Sequence, residues 1–162
     1  MTIVGCTGHR LQAFPGFESD TKKRLYNLAL KSLNDPDIEC VISGMALGWD
    51  TAVSQAALDL GISLSCIIPF PAQPNGWSDT NREKYFKILE KADHKIVISS
   101  HFSKRAYFDR SEQIVDMLSV AADSYLLALW NGEVRSGTGH CVNCAKRKGV
   151  TIKNVWGQYG KG

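Results

Sequence analysis

The chain has 162 residues, 44% hydrophobic and 22% charged, which fits one domain with a sizeable buried core and leaves little room for a second. Nineteen Lys and Arg against 16 Asp and Glu leave a net charge of +3, a mild balance that permits an anionic ligand and does not argue for a nucleic-acid sheath. No apolar run approaches the ~20 residues that span a bilayer, and Met1 to Arg10 lacks a basic segment followed by a long apolar one. Five scattered cysteines, Cys6, Cys40, Cys66, Cys141 and Cys144, are read as reduced thiols of a cytoplasmic protein.

Strand and helix alternate along the chain. Thr2 to Cys6 is a short apolar strand that runs into a Thr7-Gly8 turn. From Asp20 to Leu33, Leu25, Leu28, Ala29 and Leu33 recur at helical spacing, and Asn34-Asp35-Pro36 stops the helix. Glu39 to Ser43 is a buried strand, and Gly44 to Gly48 a glycine-bearing turn. Asp50 to Leu60 is a helix with one apolar face, closed by Gly61. The third strand is Ser63 to Ile68, ended by Pro69-Phe70-Pro71. A helix from about Asp79 to Lys91 turns Tyr85, Ile88 and Leu89 inward.

The fourth strand is His94 to Ser99, followed by a long loop, Ser100 to Asp109, and a helix from Arg110 to Ala122. The fifth strand is Tyr125 to Leu129. Trp130 to Gly137 is a loop, Thr138 to Lys148 a helix capped by Gly149, and Thr151 to Val155 the sixth strand. Residues 157–162 are expected to be a frayed tail of a single domain spanning 1–162. Continuous apolar strands mark a parallel sheet covered on both faces. The expected fold class is therefore α/β, a doubly wound, mainly parallel Rossmann-like sheet of about six strands. In such sheets ligands sit outside the carboxyl ends of the strands, near the switch point.

Four segments follow strands or open helices in that position. Thr7-Gly8-His9-Arg10 offers close backbone approach and two donors for phosphate or carboxylate; two solvated polar residues on a turn would look the same. Ser43-Gly44-Met45-Ala46-Leu47-Gly48-Trp49-Asp50 places two glycines between a strand and a helix, the composition of an anion site built from amides and a helix dipole. It is neither G-x-x-x-x-G-K-[ST] nor G-x-G-x-x-G. Asp50 either caps the helix or accepts from a ribose hydroxyl or base amine. Arg110, after Asp109, is read at a helix start, where the dipole repels it unless it binds an anion or pairs with Asp109 or Glu112. Ser136-Gly137-Thr138-Gly139 opens a helix, with Arg135 adding charge.

Weaker signals are weighed lower. Cys141-x-x-Cys144 packs on the inward side of its helix, because zinc would need two more ligands and His140 is only one. His94 and His101 are read as structural. Trp49, Trp77 and Trp130 are candidates for stacking on a base or for the core, and Trp77, Arg82 and Tyr85 for the rim of the same cleft. No G-x-S-x-G elbow appears, so a hydrolase triad is not expected.

In this order, the segments resemble the SLOG superfamily of Rossmann-like nucleotide-binding domains, and within it the YpsA-like branch. The words that carry the resemblance are Thr7-Gly8-His9-Arg10, Ser43 to Asp50, Ile68-Pro69-Phe70-Pro71 with Trp77, Arg82 and Tyr85, Arg110 with Ile114-Val115-Asp116, and Ser136-Gly137-Thr138-Gly139. The resemblance implies a cleft for a nucleotide or nucleotide-derived ligand. Its residues are Thr7, Gly8, His9, Arg10, Gly44, Met45, Ala46, Gly48, Trp49, Asp50, Trp77, Arg82, Arg110, Ser136, Gly137, Thr138 and Gly139.

The superfamily also holds Lonely-Guy type phosphoribohydrolases, with a Gly-Gly-x-Gly-Thr-x-x-Glu turn. Arg110 and Gly137-Thr138 match that pattern, but Cys141 stands where the Glu belongs. A thiol cannot replace a carboxylate that stabilises an oxocarbenium-like centre or activates water. The expected function is thus to sense or sequester a phosphorylated, ribose-containing, NAD-derived or cyclic nucleotide, with no catalytic residue, cofactor or metal assigned. The alternatives are an N-glycosidase using Arg110, Asp50 and Glu112, or a single-stranded nucleic-acid binder, ranked last on charge. A homo-oligomer is expected, with Phe102, Tyr107 and Phe108 of the long loop as contacts or as a mobile lid. No membrane partner is expected.

Overall fold

The computed structural model describes residues 1–160. Six strands form one sheet: β1 (Thr2–Gly8), β2 (Ile38–Ser43), β3 (Ser63–Ile68), β4 (His94–Val97), β5 (Ser124–Leu129) and β6 (Ile152–Asn154). Their order is β4-β3-β2-β1-β5-β6, and every pairing is parallel. The helices are α1 (Glu18–Ser32), α2 (Trp49–Asp59), α3 (Asp79–Lys91), α4 (Lys104–Ser119), α5 (Gly137–Arg147) and α6 (Trp156–Tyr159), with a 3-10 turn at Leu11–Ala13. The α/β doubly wound sheet expected from the apolar runs is therefore the fold.

Two cores form because strand side chains alternate between faces. Along β5, Leu127 and Leu129 join the cluster that contains Leu25, Ala29, Val53, Ala56, Tyr85 and Ile88, so α1, α2 and α3 cover that face. Leu126 and Ala128 join Ile114, Val115, Leu118, Val142 and Ala145, so α4 and α5 cover the other. The chain walks outward from β1 to β4, then α4 carries it back across the sheet to β5 on the far side of β1. That reversal beside β1 opens the sheet's carboxyl edge.

Three expectations are corrected here. The long loop Ser100 to Asp109 is mostly helix, since α4 begins at Lys104. Ser103 caps it by accepting from the Ala106 amide at 3.0 Å. Arg110 accordingly sits two turns inside α4, and the argument from a cation at a helix start does not apply to it. The tail is not frayed at 157–159, because α6 seats Trp156 and Tyr159 against Phe14, at 5.9 and 4.9 Å between ring centroids. Residues 161 and 162 lie outside the described chain. All five cysteines are free, His94 and His101 are exposed, and no described helix is long and apolar enough to cross a membrane.

Candidate functional site

A cleft of about 490 Å³ opens at the switch point. Its floor is Thr7 and Gly8 at the end of β1. One wall is His9, Arg10, Ala46 and Asp50, another is α4, and the third is Arg135 to Thr138 at the start of α5. Its cations are Arg10, Lys104, Arg110 and Arg135, and its carboxylate is Asp50. Such a cleft concentrates anions.

The turn after β2 is tied to itself. Ser43 Oγ accepts from the Met45 amide at 3.1 Å, Asp50 Oδ2 from the Ala46 amide at 3.2 Å, and the His9 carbonyl from the Trp49 amide at 3.4 Å. Ser54 Oγ closes the set by donating to Ser43 Oγ at 2.7 Å. Met45 takes a left-handed φ of 58° with its side chain fully buried. Gly48, at φ 111°, brings its backbone so close to His9 that a Cβ would stand 2.7 Å from the His9 carbonyl oxygen. Trp49 fills the space beside Gly8, where a Cβ would meet the indole at 2.4 Å, and its Nε1–H donates to the Leu127 carbonyl at 3.4 Å. The three amides therefore have protein acceptors already. Of the residues expected from this turn, Ala46 and Asp50 line the cleft, while Gly44, Met45, Gly48 and Trp49 are not among its lining residues.

Asp50 is buried at 5% exposure. It holds the Ala46 amide and takes the Cys6 thiol at 3.7 Å. Burial raises its pKa, while the Arg110 guanidinium, the Ala46 amide, the Cys6 thiol and Arg10 pull it back. Burial in turn pushes the Cys6 thiol up. Arg110 rests on Gly44, where a Cβ would stand 2.7 Å from its Cδ. Its Nη1 donates to the Gly44 carbonyl at 3.3 Å and to Gln73 Oε1 at 3.0 Å. Glycine at 44 thus makes room for the arginine. Burial lowers the Arg110 pKa, and Asp50 opposes that.

The turn before α5 is built differently. Ser136 caps the helix, its Oγ accepting from the Gly139 amide at 2.9 Å and donating to the Glu133 carbonyl at 2.7 Å. Gly139 slides beneath that loop; a Cβ there would stand 2.5 Å from the Glu133 oxygen. Glu133 Oε1 takes the Arg135 amide at 3.0 Å. No described residue accepts from the amides of Gly137 and Thr138, and a Cβ on Gly137 would point into open space. These first-turn N–H groups are at the positive end of α5, and their residues line the cleft.

Residues on α4 complete the wall. Lys104, Tyr107, Phe108 and Ser111 line it beside Arg110. The Tyr107 ring lies under two guanidinium groups, 5.2 Å from Arg10 and 5.5 Å from Arg110. Neither Lys104, in the segment expected to be loop, nor Ser111, inside the expected helix, carries a sequence signal of its own for the site. Tyr107 and Phe108, read there as a lid or oligomer contact, are helical wall residues. The i, i+3, i+4, i+7 spacing of 104, 107, 108 and 111, starting from the Ser103 cap, is the signal that finds all four.

Some expected rim residues lie elsewhere. Trp77 packs edge-on to Tyr85 at 5.4 Å, away from the cleft. Arg82 pairs with Asp79 at 2.7 Å on the α3 surface. Glu112 faces Arg105 and His140 at 3.9 Å each and is not in the wall. Cys141 is buried and its pKa is pushed up to about 12, so it is a neutral thiol.

The fold is shared with known proteins. DNA processing protein A from Streptococcus pneumoniae superposes with a TM-score of 0.62 at 18% identity, over 92% of this chain and 48% of that one. A Helicobacter pylori structure, described for its single-stranded DNA binding mode, gives 0.62 at 15% identity, over 93% and 63%. The chain thus spans 48% and 63% of these longer proteins. The UPF0398 proteins of Bacillus anthracis (strain A0248) and Bacillus cereus (strain AH187) are each 25% identical over 160 residues, 92% of this chain and 85% of the relative. The profile of the YspA SLOG family matches residues 4–148; with its parallel sheet and switch-point cleft, the chain belongs to that family.

Proposed function

We propose that the cleft binds a phosphorylated, ribose-containing nucleotide and holds it without cleaving it, as a sensor or a store. The observation that carries this reading is the pair of amides at Gly137 and Thr138, which have no protein acceptor and line the same cleft as Arg10, Arg110 and the neighbouring Arg135. Helix-terminal N–H groups with nearby guanidinium forks suit a phosphate or pyrophosphate. Tyr107 and Phe108 supply an aromatic surface for a base. NAD-derived and cyclic nucleotides fit the same chemistry.

Cleavage is the weaker reading because each carboxylate it needs is engaged. Asp50 is buried on its own turn, and Glu112 lies outside the cleft wall. Calorimetry against ADP-ribose, cyclic nucleotides and nucleoside monophosphates tests the proposal. Binding of one class at micromolar affinity, with the ligand recovered intact by chromatography, is the expected result. No heat with any of them at tens of micromolar protein refutes it, and released free base replaces holding with turnover.

A second reading, single-stranded DNA, is favoured by the four cations of the cleft and by what the H. pylori structure is described as binding. It expects affinity for an oligonucleotide that falls steeply with salt. A nucleotide on two or three cations gives the shallower dependence.

A further inference from the structure

Helices α4 and α5 lie side by side over one face of the sheet, and a second group of side chains meets between them outside the cleft wall. Glu112 comes from α4. His140 and Cys144 come from α5, one turn apart at i and i+4, so both project toward the same side. Cys144 Sγ is 3.6 Å from His140 Nε2, and Glu112 Oε1 is 3.9 Å from that same nitrogen. One ligand atom from each residue lies within 4.8 Å of the other two.

These separations have a simple meaning. An ion held tetrahedrally at about 2.3 Å from sulfur and about 2.1 Å from nitrogen and oxygen keeps its ligand atoms roughly 3.3–3.6 Å apart. The three atoms here need a contraction of only tenths of an ångström to one ångström to meet those edges. A relay of protons through the imidazole would put thiol and carboxylate on opposite ring nitrogens. Here both approach Nε2, which suits a shared cation and not a relay.

The surroundings favour the same conclusion. Phe108 holds the His140 ring edge-on at 4.5 Å, which limits its rotation. Cys144 is 3% exposed, and its partner in the Cys141-x-x-Cys144 pair points elsewhere, into the core beside Thr7. The sequence pair is therefore misleading: the second cysteine finds its companions across the helix interface. Arg147 Nη2 lies 3.3 Å from Cys144 Sγ and Arg105 Nη2 3.9 Å from Glu112 Oε2. Both arginines are on exposed side chains free to turn into solvent.

We propose that Glu112, His140 and Cys144 bind one divalent transition-metal ion of zinc type, clipping α4 to α5, with water as the fourth ligand. Mixed sulfur, nitrogen and oxygen donors select such an ion over magnesium or calcium.

Cobalt(II), then zinc, titrated into the chelator-treated full chain tests this. One equivalent of cobalt is expected to give a thiolate-to-metal band in the near ultraviolet and intense visible bands of four-coordination. Zinc is expected to abolish both, and to raise the melting temperature at a hundredfold excess over its dissociation constant. Cys144→Ser loses the near-ultraviolet band; His140→Ala and Glu112→Gln each weaken cobalt at least tenfold; Arg147→Ala tightens it by removing a competing charge. Cys40→Ser leaves all signals in place. The proposal fails if the unaltered chain shows no thiolate band at saturating cobalt, or if the band survives both His140→Ala and Glu112→Gln. Nucleotide binding in the cleft is measured separately, so either result leaves that reading to its own test.

Discussion

Two turns of the chain carry glycines between a strand and a helix, and they are used in opposite ways. The turn after β2, Gly44 to Gly48, spends the Met45 and Ala46 amides on Ser43 and Asp50, is tied to the His9 carbonyl by the Trp49 amide that follows it, and lends its missing side chains to Arg110 and to the backbone of His9. The turn before α5 keeps the Gly137 and Thr138 amides free of protein acceptors, and both residues line the cleft. Glycine between strand and helix therefore has two physical meanings. It admits a neighbouring part of the protein, or it admits a ligand, and only the acceptors around it decide which.

The largest effect that breaks this comparison is expected from Trp49→Ala. The indole is fully buried beneath Gly8, and its loss costs about 3–5 kcal/mol in urea unfolding. A cost below about 1 kcal/mol would mean that the first turn is not built around it.

Next in size is Arg110→Ala. Losing a guanidinium that bonds an anion weakens ADP-ribose or its analogue by about 1.5–3 kcal/mol, roughly ten- to a hundredfold, in calorimetry. Gly44→Ala acts in the same direction by pushing Arg110 off its seat.

Gly137→Pro is the sharpest probe of the second turn. Residue 137 is the first of α5, Ser136 before it is already extended at ψ 163°, and a Cβ there meets nothing. Proline is tolerated at that position and removes only the N–H. Stability is expected to hold while anion affinity falls about tenfold, the worth of one charge-assisted bond. Equal affinity would place the anion elsewhere. Ser136→Ala removes the cap and lowers stability by about 1 kcal/mol.

The smallest effect is with pH. Burial lowers the His9 pKa below 6.5, with Asn131, whose amide donates to His9 Nε2 at 3.0 Å, opposing it, so the folded chain prefers neutral His9. The unfolded chain takes up the proton first, so stability present above pH 6.5 declines as pH falls through and below that value. Asp50 works the other way: its raised pKa means the folded chain gains stability when acid neutralises it. Urea midpoints at pH 7.5 and 5.5 are expected to drop less in His9→Gln than in the parent.

Much of the fold was legible because its central strands are buried on both faces. Cys40-Val41-Ile42 and Leu126 to Leu129 read as unbroken apolar runs, and a polar surface could not have produced them. The start of α4 was hidden because its first two turns mix charged residues with Ala106, Tyr107 and Phe108, and bury only Ala106, so that the Ser103 cap and the spacing of 104, 107, 108 and 111 are its markers. α6 was hidden because four residues carry no periodicity; it is held by rings from Phe14, far away in sequence. In the site, Arg110, Asp50 and Gly137 were identifiable by residue type and place. That Ser43 and Asp50 consume the amides beside them was not, since it depends on which way two short side chains turn.

The contact between α6 and the cleft has an optical consequence. The Trp156 ring meets the His9 imidazole edge-on at 5.6 Å, and His9 stands in the cleft wall. An indole in that position is a fluorophore wired to the site. A proton or an anion arriving at His9 changes the field at the ring, and light emitted from the end of the chain reports on events at the mouth of the sheet.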